Sequence, residues 1–173
     1  MIKIFRLIIS DLYLILKVLS GSKIRFSFIS LVSPFTFIKS VGKKGKIIFG
    51  KKNEIRSNVE ISANQAIIKF GDNCFVNRNC IISGREGISF GNNVFIGPGT
   101  CIYDHDHDGQ GGFRTNPIVV GDNVWIGANC TILKGVRIEN DVVIAAGSVV
   151  TKSICESHSL FYQKRQNISK KSN

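Results

Sequence analysis

A six-residue period runs through most of this chain. Stepping by six from Phe49 gives Ile55 and Ile61, then, after three extra residues, Phe70, Val76 and Ile82. Two further residues lead to Phe90, Ile96 and Ile102, and a twelve-residue interruption at 108–119 leads to Val120, Ile126, Ile132, Ile138, Ile144 and Val150. All fifteen are aliphatic or Phe. At 43% hydrophobic content, chance agreement is on the order of 10⁻⁶, so the period, not the composition, sets the fold. A neighbouring column is small: Gly50, Gly71, Gly91, Gly97, Gly121 and Gly127 each follow the apolar residue, as tight corners require. Four residues after it stand fillers such as Val59, Cys74, Cys80, Thr100, Val124 and Cys130.

A period of six does not fit a helix, and plain alternation would lack the regular corners. The solution is an all-β, triangular parallel solenoid with one short strand per hexad and eighteen residues per coil. Five coils follow, at 49–66, 70–87, 90–107, 120–137 and 138–155. Residues 1–48 form the first of three regions: a helix over 1–20 with Gly21 near its end, then an irregular capping coil over 24–48, broken by Pro34 and the Gly42–Gly45 turn. Residues 49–155 are the repeat domain and 156–173 a basic tail. The interruption at 108–119, with Gly109, Gly111 and Gly112, projects from the surface.

Charge is uneven along the chain. Residues 1–52 hold eleven Lys and Arg against Asp11 alone, whereas the repeat region is slightly acidic. A nucleic-acid face across the whole domain is therefore not expected. Five cysteines, an odd number without metal-ligand spacing, read as reduced thiols of a cytoplasmic protein. The apolar N-terminus is divided by Lys3, Arg6, Asp11 and Lys17, so it is neither a span nor a secretion signal. Its surplus of apolar residues fits a cap packed between subunits, or peripheral contact of residues 1–20 with the inner membrane face.

Chemistry concentrates in Tyr103-Asp104-His105-Asp106-His107-Asp108, just before the projecting loop. Asp106 falls in a filler column, where a carboxylate facing a dry core is costly, so the backbone is expected to deform there. A neutral imidazole can take the proton of a weakly nucleophilic hydroxyl, with Asp104 or Asp106 fixing its tautomer.

The stretch Val120-Gly121-Asp122-Asn123-Val124-Trp125-Ile126-Gly127-Ala128-Asn129, followed by Ile144-Ala145-Ala146-Gly147-Ser148-Val149-Val150-Thr151-Lys152, resembles the signature of hexapeptide-repeat acyltransferases. The branch it is similar to comprises the galactoside, maltose and polysaccharide (capsule or lipopolysaccharide) O-acetyltransferases. That resemblance implies a left-handed parallel β-helix, a homotrimer, acetyl-CoA in a groove between subunits, and a His that deprotonates a sugar hydroxyl. Counting nine residues on from Pro98 of the Gly97-Pro98 corner marks His107 as that base, with His105 as second candidate or partner. Asn77, Asp104, Asp106 and Trp125 are the implied acceptor contacts. Trp125, Gly127, Ala128, Ala145, Ala146, Thr151 and Lys152 are the implied cofactor contacts, with Lys164 and Arg165 as phosphate partners. Two features depart from the family pattern: Ala145 stands where Gly is usual, and the Pro-containing tail is replaced by Cys155-Glu156-Ser157-His158 and the residues after it. A related transferase acting on a small molecule such as serine, a free sugar or an antibiotic remains an alternative. So does a carbonic anhydrase-like metal enzyme, which His105 and His107 would supply with only two ligands; no metal is expected.

Overall fold

The computed structural model describes residues 2–162. Three parallel sheets form the faces of a triangular prism, the solenoid expected from the repeat and the left-handed β-helix implied by the family resemblance. The first face stacks Ile24–Arg25, Lys46–Phe49, Ile67–Phe70, Gly87–Phe90, Ile118–Val120 and Arg137–Ile138. The second stacks Leu31–Val32, Glu54–Ile55, Phe75–Val76, Phe95–Ile96, Trp125–Ile126, Val143–Ile144 and Leu160–Phe161. The third runs from Phe37–Val41 through Glu60–Asn64, Ile81–Gly84, Cys101–Tyr103 and Thr131–Ile132 to Val149–Val150. Residues 24–41 thus give one strand to each face, and the solenoid continues past 155 through the pairing of Leu160 with Val143.

All fifteen period positions are buried. They stack in register, so that Ile61, Ile82, Ile102 and Ile132 are successive partners on the third face. On the first face Phe70 lies between Phe49 and Phe90, with ring centroids 5.1 and 4.8 Å away. The filler column is buried too, and burial pushes the thiols of Cys74 and Cys80 up to about 11. These cysteines are packing groups held as neutral thiols.

The corner glycines are small for a different reason from the one expected. Gly97 and Gly127 are not among the residues with positive φ. A Cβ on Gly97 would instead lie 2.6 Å from the backbone N of Ala128 in the next turn. Close stacking of turns, not backbone freedom, excludes a side chain there. Positive φ falls on asparagines such as Asn73, Asn93 and Asn123 (φ 57°, 56° and 56°), the residue type that best tolerates that region after Gly. Their side chains form a ladder: Asn73 donates to Asn93 at 3.2 Å, Asn93 to Asn123 at 2.8 Å, and Asn123 to Asp141 at 3.0 Å.

The N-terminal helix, Ile2–Leu19, closes the open first turn. It ends where Gly21, at φ 93°, lets Ser22 N–H donate to Lys17 C=O and Gly21 N–H to Val18 C=O. Ser10 donates to the Ser30 carbonyl at 3.1 Å and accepts from the Val32 N–H at 2.7 Å. Tyr13 donates to the Thr36 carbonyl at 2.6 Å. Together these satisfy backbone groups that an uncovered first turn would leave unpaired, while Leu14, fully buried, plugs the core.

Replacing Phe70 by Ala removes the middle ring of the stack in a region with little freedom to collapse. The expected cost is about 3–5 kcal/mol of unfolding free energy, measured by chemical denaturation followed by circular dichroism.

Candidate active site

The functional residues named from sequence fall on two edges of the prism. At the edge between the third and first faces, successive turns are joined by short corners except after Tyr103. There the chain leaves as a hairpin: His105–His107 pairs antiparallel with Phe113–Thr115. The excursion therefore begins three residues earlier than the sequence interruption and takes both histidines into its stem. Ile118 and Val119, expected within the loop, are already back in the first face, with Ile118 fully buried. This is the deformation anticipated around Asp106. It turns that side chain out to solvent, where Lys134 Nζ lies 2.8 Å away and its hydrogen bond holds the carboxyl below its ordinary value.

The carboxylate that does point inward is Asp104. It occupies the column of Ala63 and Gly84 on the third face, and it is completely buried. Gly84 leaves space for it, since a Cβ there would sit 3.4 Å from Asp104 Oδ2 and 3.2 Å from Ile68. Three successive backbone N–H groups of the preceding corner donate to it: Arg85 to Oδ1 at 2.8 Å, Glu86 to Oδ2 at 2.9 Å and Gly87 to Oδ2 at 2.7 Å. A buried carboxylate is tolerable only with such a set of partners. Asp104, expected from sequence as an acceptor contact, is thus enclosed by the fold of this chain.

Its fourth partner is His105, whose Nδ1 lies 3.0 Å from Asp104 Oδ1. With three backbone N–H donors already on it, the carboxylate meets the imidazole as an acceptor, so in the neutral ring Nδ1 is the donor and Nε2 holds the lone pair. The His105 side chain is 13% exposed and meets Phe113 edge-on, with ring centroids 5.4 Å apart. His107, further along the stem, is exposed, with its ring 4.7 Å from that of Phe113. Arg85 stacks its guanidinium 3.4 Å from the centre of Phe113, and Thr115 donates to Glu86 at 2.8 Å. The hairpin is therefore tied to the turn before it through Arg85 and Glu86, and to the turn after it through Lys134. At its tip, N–H donation from Gln110 and Gly112 lowers the Asp108 carboxyl.

The second edge, between the second and third faces, carries an open apolar groove of about 340 Å³. Trp125, Gly127, Ala128, Ala145 and Ala146, all named from the sequence, line it together with Phe95 and Pro98. A Cβ on Gly127 would meet Ala146 N at 2.5 Å, and Ala145 at this edge adds a single methyl to the groove wall. Asn77 belongs to the same edge, one turn below Gly97; its N–H donates to the Ile96 carbonyl at 2.9 Å, and its Oδ1 accepts from Arg78 N–H. Thr151 and Lys152 are exposed and do not line the groove; Lys152 borders a separate hollow with Cys155 and Leu160. Lys164 and Arg165 lie outside the described residues. No group of three or more His, Cys, Asp or Glu among the described residues is arranged to hold a metal ion.

One side of a six-residue period spans up to about 20 Å of extended chain. Hairpin and groove therefore sit a full face apart, and a single chain does not bring His105 or His107 to Trp125.

The family model described as the hexapeptide repeat of succinyl-transferase matches residues 67–104 and 117–152. The chain is 38% identical over 93 residues to a galactoside O-acetyltransferase of Escherichia coli K12, covering 50% of this chain and 46% of that protein. It is 31% identical over 132 residues to an E. coli K12 protein provisionally named a lipopolysaccharide biosynthesis O-acetyl transferase, covering 65% of this chain and 66% of the relative. Among solved structures, the hexapeptide-repeat acetyltransferase VCA0836 of Vibrio cholerae O1 biovar eltor, complexed with acetyl coenzyme A, superposes with a TM-score of 0.51 at 36% identity, over 54% of each chain. Sequence and fold together place the repeat region among the hexapeptide-repeat acyltransferases. The chain spans about half the length of several of these relatives.

Replacing Asp104 by Asn keeps the volume but puts donor against donor at the 85–87 corner. We expect a loss of about 1–3 kcal/mol in stability and faster hydrogen exchange at the Arg85, Glu86 and Gly87 amides, both read on the purified chain.

Proposed function

We propose that the chain is an acetyl-CoA-dependent O-acetyltransferase that acetylates a hydroxyl of a sugar or surface polysaccharide. The observation that carries this reading is the buried Asp104 orienting His105, with the lone pair on Nε2 left for an acceptor proton. In the reaction the hydroxyl oxygen attacks the thioester carbonyl as the imidazole takes its proton. Collapse of the tetrahedral intermediate expels the coenzyme A thiolate, which recovers the proton from the imidazolium. The products are the acetyl ester and free coenzyme A.

The groove at Trp125, Gly127, Ala128, Ala145 and Ala146 suits the pantetheine arm, which needs an apolar channel between closely approaching backbones. The V. cholerae relative was crystallised with acetyl-CoA, and relatives named for galactoside and lipopolysaccharide acetyl transfer point to a sugar acceptor. Transfer to a small molecule is the competing reading on the acceptor. Unpaired cysteines throughout the described residues fit a reducing, cytoplasmic setting.

The base is one of the two hairpin imidazoles. Geometry favours His105, while the family register favours His107. His105→Ala is expected to lower turnover by about 10²–10⁴-fold, with His107→Ala affecting mainly acceptor KM; thiol release with acetyl-CoA and candidate glycans is the assay. The reverse pattern would assign the base to His107 and leave the Asp104–His105 pair as the support of the stem.

Separation of hairpin and groove favours a homotrimer, in which one chain's hairpin edge meets the groove edge of the next. The second face supports this with an outward apolar ladder: Phe75 and Phe95 stack at 4.8 Å, and Phe95 meets Trp125 at 5.8 Å. Light scattering of active protein is expected to give three times the chain mass. Active monomers would exclude the shared site.

A further inference from the structure

The N-terminal helix turns Leu14 into the core and a second apolar side away from it. Its polar Ser10 and Tyr13 face the solenoid and serve the backbone of the first turn, with Lys17 above the Tyr13 and Phe37 rings. The second apolar side faces out: Ile4, Phe5, Ile8, Leu12, Leu16 and Leu19 are each between 55% and 76% exposed. Spacings of three and four residues put these six on one continuous stripe. Capping consumes the inward face and explains none of the stripe.

Several observations at this end of the prism bear on what covers the stripe. Phe28 and Phe35, from the first turn, are 65% and 76% exposed. Residues 1–52 carry eleven basic side chains and one acid, and that acid, Asp11, has one carboxylate oxygen enclosed in the protein without a partner. No helix among the described residues is long and apolar enough to cross a membrane. A soluble protein partner would not require so lopsided a charge, whereas an anionic interface attracts basic residues and takes up a short apolar helix face.

We propose that this end of the solenoid docks on an anionic lipid surface, with the helix lying in the interface and its apolar stripe among headgroups and upper acyl chains. The proposal is independent of the acetyl-transfer reading, because none of these residues belongs to the hairpin or the groove.

Flotation of the full chain with vesicles tests it. Vesicles containing about one third phosphatidylglycerol in phosphatidylcholine should carry the protein upward at low salt, at least about tenfold more than pure phosphatidylcholine vesicles. The exposed double variant Ile8→Glu, Leu12→Glu should stay with the soluble fraction, at an unchanged mass by light scattering. The proposal is overturned if the parent stays at the bottom with anionic vesicles, or if the double variant floats as well as the parent. It is equally overturned if the double variant has a smaller mass than the parent, because a second copy then covers the stripe.

Discussion

Every feature of this molecule answers to the close stacking of parallel turns. Each turn hydrogen-bonds only to its neighbours, at a spacing near 4.8 Å, so a side chain at one level must share its column with those above and below. Columns therefore become uniform: Ile on Ile, Phe on Phe, small on small. The same constraint leaves the edges as the places where length can change. Equivalent residues lie 21, 20 and 30 positions apart from Phe49 to Phe70, Phe90 and Val120, and 18 apart from Val120 to Ile138, yet the register of the faces is unbroken.

At the hairpin the chain leaves the prism with two histidines in its stem, and a buried charge holds it there. Asp104 stands in a column that otherwise holds Ala63 and Gly84. It replaces apolar packing by bonds from three corner N–H groups and one imidazole. The backbone also closes at this residue, since Asn116 N–H donates to the Asp104 carbonyl at 2.9 Å as the hairpin returns. One residue thus fixes the root of the excursion and the orientation of His105. Mobile loops elsewhere obtain precision only on closing; here the stem inherits it from the solenoid.

The core was legible because its signal is repeated: a periodic column can be checked against itself fifteen times. Hairpin geometry has no such redundancy. Counting six from Thr100 singles out Asp106 as the misfit, whereas the chain has already left the prism and Asp104 is the buried carboxylate. The available signal was one turn away, in Gly84, where the column shrinks to make room. The corner glycines show a related limit: sequence shows that a side chain is absent, but only the structure shows that the next turn's backbone excludes it. The helix was legible as a helix, with Gly21 ending it. Which face it turns inward was not, because apolar residues occur around most of its circumference and the choice is made by the unpaired backbone of the first turn.

The prism has three edges and two ends, and this chain assigns them different work. The edge with the Asn73, Asn93 and Asn123 ladder binds turn to turn by side-chain hydrogen bonds. The other two edges hold the hairpin and the apolar groove. Under the proposed function a second copy of the chain would have to bring the two together, because a rigid prism does not fold one edge onto another. In the proposed homotrimer, rotation about a three-fold axis would do this without deforming any subunit. Such an axis would run alongside the prisms and bring all three N-terminal ends to one side of the assembly. Three apolar helix stripes would then lie at the same level, and weak docking by one becomes multivalent docking by three.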